Sequence, residues 1–256
     1  MMNLRMPLIL VSLGLFGLAF NAQASGQLGE NQLLSSSILG YDLQYRVYVP
    51  EHYESLDSLP VLYVTDGPSY ISNGELHLLM DKEISEGRIE PVIAVFVDAR
   101  DPHKLERNRR NTEFFCNPKY VGFFTRELLP KIDSDYKTRK DRQHRVILGL
   151  SFGALNSACF GLLAVESFAG IAMQSPALHP VNDLFERYER NGLQPLNIFL
   201  STGSINDNTS DNRKWHRHLK KIGYEVTYRE TREGHNWRNW RRLQDDVLWA
   251  FFGTDK

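Results

Sequence analysis

The chain has 256 residues, 42% hydrophobic and 24% charged, enough to bury a full core in one globular domain and too apolar for disorder. With 30 Lys and Arg against 31 Asp and Glu the formal charge is -1, which gives no electrostatic footprint for nucleic acid or an anionic membrane surface. A small-molecule ligand is expected, with no nucleic-acid partner.

The first 24 residues read as a secretory leader. Arg5 supplies a positive start, an apolar run from Pro7 to Phe20 is short for a bilayer span, and Ala22-Gln23-Ala24 offers a small-residue cleavage site after Ala24. This predicts an exported, periplasmic or secreted domain over residues 25–256, with no membrane insertion in the mature form. No cysteine follows the apolar run, so lipid anchoring by that route is not expected.

Further along, short β-branched and aromatic runs alternate with segments of helical period. Strands are predicted at 43–49, 61–64, 92–97, 146–148, 170–173, 197–200 and 224–229. Helices are predicted at 73–82, 120–129, 152–163, 181–190, 211–222 and 237–251. Several strands are continuous apolar runs, as in central strands buried on both faces. The alternation predicts a single α/β domain whose mostly parallel central sheet carries helices on both faces, with 43–49 as an antiparallel leading strand. Residues 98–118 lack periodicity, and such loops in compact domains often carry function.

One stretch carries chemistry. Val146-Ile147-Leu148 leads into Gly149-Leu150-Ser151-Phe152-Gly153, and Ala154 begins a helical run. A nucleophile elbow needs this strand, a sharp turn and a helix, with glycines where the backbone approaches closely. Serine is a weak nucleophile alone and needs a histidine base, usually with an orienting carboxylate. Of His179, His216, His218 and His235, only His235 falls between a final strand and a final helix, so it is the expected base. His216 and His218 read as solvated helix residues. The acid belongs after the 197–200 strand, where Asp207 is preferred to Asp211, whose position suits a helix N-cap. Oxyanion donors are expected from the N–H of Phe152 and from Gly67 or Ser69, since Pro68 between them has none.

Other residues are less specific. Cys116 and Cys159 leave two arrangements open, a bridge permitted by export or two unpaired thiols, with Cys159 on an apolar helix face. No Cys/His cluster has metal-ligand spacing, so neither metal nor cofactor is expected. The basic residues Lys104, Arg107, Arg109 and Arg110 suggest a contact for an anionic substrate, with a solvated loop as the alternative. Trp237 and Trp240 serve equally as walls of an acyl site or as core packing of the last helix.

Together these segments resemble the esterase family of α/β-hydrolases that includes enterochelin esterases, feruloyl esterases, S-formylglutathione hydrolases and mycolyltransferases. The likeness runs through TyrArgValTyrValPro, ValLeuTyrValThrAspGly, Arg110-Asn111-Thr112-Glu113-Phe114, GlyLeuSerPheGly, GlnSerPro and Gly234-His235-Asn236-Trp237. The resemblance implies an α/β-hydrolase fold and ester hydrolysis through a serine acyl-enzyme, most like the single-domain periplasmic siderophore esterases. Acyl transfer and a non-catalytic binding member are the alternatives. Two positions depart from the family: its usual acid position holds Asn206, one residue before Asp207, and the residue after Asp66-Gly67 is Pro68. The enterochelin-type group also admits a serine–histidine pair without an acid.

Overall fold

Continuous apolar runs become the centre of the sheet because both of their faces are covered. In the computed structural model, which describes residues 25–254, the strand at Val61–Val64 sends Val61 and Tyr63 into one core cluster and Leu62 and Val64 into the other. The expected leader at 1–24 lies outside the described residues.

In chain order the elements are β1 (Gln27–Leu28), β2 (Gln32–Ser36), β3 (Tyr41–Val49), β4 (Val61–Val64), α1 (Gly67–Ser72), α2 (Leu76–Ser85) and β5 (Ile93–Asp98). A charged excursion follows: β6 (Arg100–Asp101), β7 (Lys104–Asn108) and α3 (Arg110–Glu113), then α4 (Pro118–Phe123) and α5 (Leu129–Asp135). The rest alternates as β8 (Arg145–Leu150), α6 (Phe152–Leu163), β9 (Gly170–Gln174), α7 (Leu184–Asn191), β10 (Asn197–Gly203), α8 (Thr209–Ile222) and β11 (Val226–Thr231). Helices α9 (Trp237–Arg242) and α10 (Gln244–Phe252) close the chain.

The main sheet runs β1-β3-β5-β4-β8-β9-β10-β11, with β2 also paired to β3. From β5 to β11 all neighbours are parallel, while β1, β2 and β5 pair antiparallel with β3. This is the expected α/β architecture with an antiparallel leading strand. Residues of α4 to α8 cover one face, including the fully buried Phe160 and Trp215; α1, α2, α9 and α10 cover the other, including Met80 and Leu248.

Three expectations change. The aperiodic 98–118 segment contains the β6–β7 hairpin and α3; every residue of β7 is exposed, so no alternation marks it as a strand. The 120–129 helix lies within a longer run, α4 and α5 joined by a π-helical turn at Phe124–Leu128. Pro130, near the start of α5, removes an N–H from the helical ladder, and the wider turn before it accommodates that loss. Finally, the 237–251 helix is split in two at Leu243.

Of the two arrangements open for the cysteines, the bridge is the one formed. Cys116 and Cys159 join the segment after α3 to the interior of α6 across a sequence separation of 43. We predict that a Cys116→Ala/Cys159→Ala chain loses about 2–4 kcal/mol of unfolding free energy, the usual effect of removing a loop constraint from the unfolded state. Urea titration of both proteins checks this, and superimposable curves would refute it.

Candidate active site

The turn between β8 and α6 is strained. Ser151 has φ 55° and ψ -116°, outside the regions that a residue with a Cβ ordinarily adopts. Its backbone is held on both sides: its N–H donates to the Gln174 carbonyl at 2.9 Å, and its own carbonyl accepts from Leu155 (3.1 Å) and Ala177 (3.2 Å). The flanking glycines are steric necessities. A Cβ on Gly149 would lie 2.1 Å from the Gly153 carbonyl, and one on Gly153 would lie 2.8 Å from the Asp66 carboxylate. Ser151 is therefore presented on a corner at the C-terminal end of the sheet.

The loop after β11 brings His235 to that corner. Its Nε2 lies 2.9 Å from Ser151 Oγ, and its Nδ1 lies 2.6 Å from Asp207 Oδ1. A carboxylate can only accept, so Nδ1 carries the proton toward Asp207 and Nε2 is free to accept from the serine hydroxyl. The structure thus brings together all three residues predicted as nucleophile, base and acid.

Asp207 reaches the histidine although it stands one position beyond the family's usual acid. Asn206 before it is left-handed, with φ 51°, a conformation that asparagine tolerates better than most residues. The acid loop is also stitched to the histidine loop: Ser204 N–H donates to Thr231 O at 2.8 Å, and Ile205 N–H to Glu233 O at 3.1 Å. Between them Gly203 lies so close that a Cβ there would sit 2.1 Å from the Glu233 carbonyl. Asp211 is exposed in the first turn of α8 and pairs with Lys214, while Asn208 takes the N-cap position.

The Asp207 side chain is fully enclosed. Burial alone would raise its pKa, but hydrogen bonds from His235, Ser175 and the backbone N–H groups of Gly203 and Asn208 outweigh that effect and hold it at about 2. Ser175 had no assigned role in the sequence reading. It follows β9 with φ 49°, donates to Asp207 Oδ2 at 2.6 Å, and accepts from Trp240 Nε1 (3.1 Å) and Asn239 Nδ2 (3.2 Å). Its signal was the Gln-Ser-Pro at the end of a buried strand. Trp240 also stands edge-on to the His235 ring, with centroids 5.0 Å apart.

On the oxyanion side, Phe152 and Gly67 are the first residues of α6 and α1, where backbone N–H groups have no intrahelical acceptor. The Ser69 N–H instead donates to the Asp66 carbonyl at 2.9 Å, so Gly67 is the better of the two expected donors from this loop.

The basic loop does not form an uncompensated patch. Arg110 pairs with Asp66 at 2.6 Å and lies 5.6 Å from the ring centres of both Phe114 and Phe152. Arg109 pairs with Asp101 at 2.6 Å and caps the Tyr41 ring, while Arg107 is 67% exposed and 3.7 Å from Asp101. Lys104 is exposed beside Glu106. Of these only Arg110 touches the nucleophile helix. Trp237 packs edge-on against Tyr70 and Trp240, chiefly as a core residue. Among the described residues no cluster of His, Cys, Asp and Glu could hold a metal ion.

This geometry defines a class before a family. A mostly parallel sheet whose successive strand ends deliver serine, acid and histidine in that order is an α/β-hydrolase. The solved structures that share the fold include a ferulic acid esterase, with TM-score 0.75 and 21% identity over 89% of this chain and 99% of that one. Another is the enterobactin esterase of Shigella flexneri solved with enterobactin, with TM-score 0.78 and 20% identity over 87% of this chain and 58% of that one.

Residues 36–196 match the family described as "Putative esterase", and the chain belongs to that family. The match contains Ser151 and ends before Asp207 and His235, so those two rest on geometry. The iron(III) enterobactin esterase of Dickeya dadantii is 26% identical over 216 residues, 77% of this chain and 48% of that protein. The endo-1,4-beta-xylanase/feruloyl esterase of Xylanibacter ruminicola is 24% identical over 220 residues, 80% of this chain and 29% of that protein. The chain therefore spans about half or less of the length of these curated relatives.

The Asp207 environment has a consequence for stability. Its carboxyl titrates at about 2 when folded against 3.8 for the free group, so its contribution is complete above about pH 4 and is lost as pH falls through about 2. We predict that Asp207→Asn removes about 2 kcal/mol of acid-dependent stability. Urea unfolding at pH 5 and pH 2.5 should then differ less in the variant than in the parent; equal differences would count against this account.

Proposed function

We propose that the chain is an exported serine carboxylic-ester hydrolase that acts on small-molecule esters through an acyl-enzyme. The observation that carries this reading is the hydrogen-bonded line from Ser151 Oγ through His235 to Asp207, with spacings of 2.9 and 2.6 Å, at a strained elbow.

In this mechanism His235 Nε2 takes the hydroxyl proton as Ser151 Oγ attacks the ester carbonyl. The negative charge on the tetrahedral carbonyl oxygen is met by the N–H groups of Phe152 and Gly67, a preorganised arrangement that matters most where water is excluded. Asp207 stays ionised and stabilises the imidazolium, consistent with its depressed pKa. Collapse expels the alcohol, which receives its proton from His235. Water, activated by the same histidine, then releases the acid and restores Ser151.

The related enterobactin and feruloyl esterases support siderophore-type or aromatic esters as the substrate class. Export rests on the N-terminal leader pattern alone. Among the described residues no helix is long and apolar enough to cross a membrane.

Ser151→Ala should lower kcat/KM for 4-nitrophenyl butyrate at least about a thousandfold, because triad members act as a unit. A fluorophosphonate probe should label the wild-type chain on the Ser151 peptide. Full activity in the folded variant, or labelling confined to another serine, would sink the mechanism.

A further inference from the structure

Strand β3 pairs with β5 so that Gln44 stands opposite Asp98 and Arg46 opposite Phe96. The two-residue period of strands places these four side chains on one face. There a cavity of about 390 Å³ opens, with Pro68, Ile71, Phe96 and Leu105 among its apolar lining and Gln44, Arg46 and Asp98 among its polar lining. A second cavity of about 190 Å³ shares Pro68, Ser72, Asp98 and Arg100 with the first and continues to Asp66 and Ser69. Sharing these four residues, the two adjoin and together line a groove between the turn at Asp66 and Ser69 and strand β3.

Most polar groups of this groove are already matched. Asp98 accepts from Arg100 at 2.7 Å and from Gln44 Nε2 at 3.0 Å, and Gln44 Oε1 accepts from Asn31 at 2.8 Å. Arg46 differs. Its Nε is anchored on the Gly29 carbonyl at 2.8 Å, and it forms no ion pair among the described residues. Arg109 and Arg110, the cations expected from sequence to meet an anion, are instead spent on Asp101 and Asp66. At the rim, Leu105 projects from the hairpin 50% exposed, an apolar side chain with no burial to account for it.

An anchored guanidinium beside an apolar lining suits a planar ring that carries an anion. The fork of arginine meets a carboxylate with defined geometry, while the ring takes the contact with Pro68, Ile71 and Leu105. We propose that this groove binds an aromatic carboxylate, with Arg46 as its charge partner, as the part of the ester remote from the bond cleaved. The link to cleavage rests on the proposed role of Ser151; the binding itself does not.

Calorimetric titration of the wild-type chain with 4-hydroxybenzoate and its neutral analogue 4-hydroxybenzamide tests this, and neither probe contains an ester. The acid should bind at least tenfold more tightly than the amide. Arg46→Gln should remove that preference, and Arg107→Gln should leave it intact. Ser72→Phe, which fills the groove from an exposed position on α1, should weaken both probes, and thermal unfolding midpoints report whether each variant folds. Equal affinity for acid and amide, a preference that survives Arg46→Gln, or unchanged binding in folded Ser72→Phe would each overturn the proposal. Those outcomes leave the Ser151 mechanism standing, whereas inactive wild type with intact acid binding would fault Ser151 instead.

Discussion

The site depends on one close approach, the backbone of Gly149 against that of Gly153. No side chain fits between them, and because none is there the chain can turn from β8 into α6 within a single residue. That residue, Ser151, is left with a conformation costing on the order of 1–3 kcal/mol, offset by three backbone hydrogen bonds to or from Gln174, Leu155 and Ala177. Everything else in the site is arranged around the point where that turn places the hydroxyl. Strands β8, β9, β10 and β11 are neighbours in that order, and the loops after them supply Ser151, Ser175, Asp207 and His235. Parallel strands bring these loops to one edge of the sheet, where ligands of open α/β folds gather.

The carboxylates near this edge show how local donors, rather than burial alone, set charge. Asp207 is enclosed and yet held at about 2, because hydrogen bonds from His235, Ser175, Gly203 and Asn208 converge on it. Glu113 is fully buried, but among the described residues Tyr41 is its one hydrogen-bond donor, and burial pushes its carboxyl up to about 8. At Asp66 burial raises the pKa, while the Arg110 pair opposes the rise. One enclosed acid is thus held as an anion against His235, while at another, on α3, burial favours the neutral form.

How much of this could be read from the chain followed from how local each cause is. The elbow was legible because strand, glycine, serine and helix are contiguous, and His235 because it fell between the last strand and the last helix. Asp207 was legible as a loop acid, but its reach depends on the left-handed Asn206 and on stitches to residues near 231 and 233, which no local pattern announces. Ser175 and Asn239 lie 64 residues apart and meet only in the fold. The pairing of Arg110 with Asp66, 44 residues away, is likewise set by tertiary contact, whereas that of Arg109 with Asp101 is made across the local hairpin. The β6–β7 hairpin was hidden because a fully exposed strand has no hydrophobic alternation.

The bridge between Cys116 and Cys159 has a bearing on how far the segment beside Ser151 can move. It fastens the segment that follows α3 to the interior of the nucleophile helix, and Phe115 of that segment stands edge-on to Phe152, the residue after the serine. The segment beside Phe152 is thus covalently part of the body that carries Ser151. That segment cannot swing aside without bending α6 itself. In the proposed hydrolysis a substrate meets this segment as a rigid wall, and any accommodation of a larger one falls to the rest of the site.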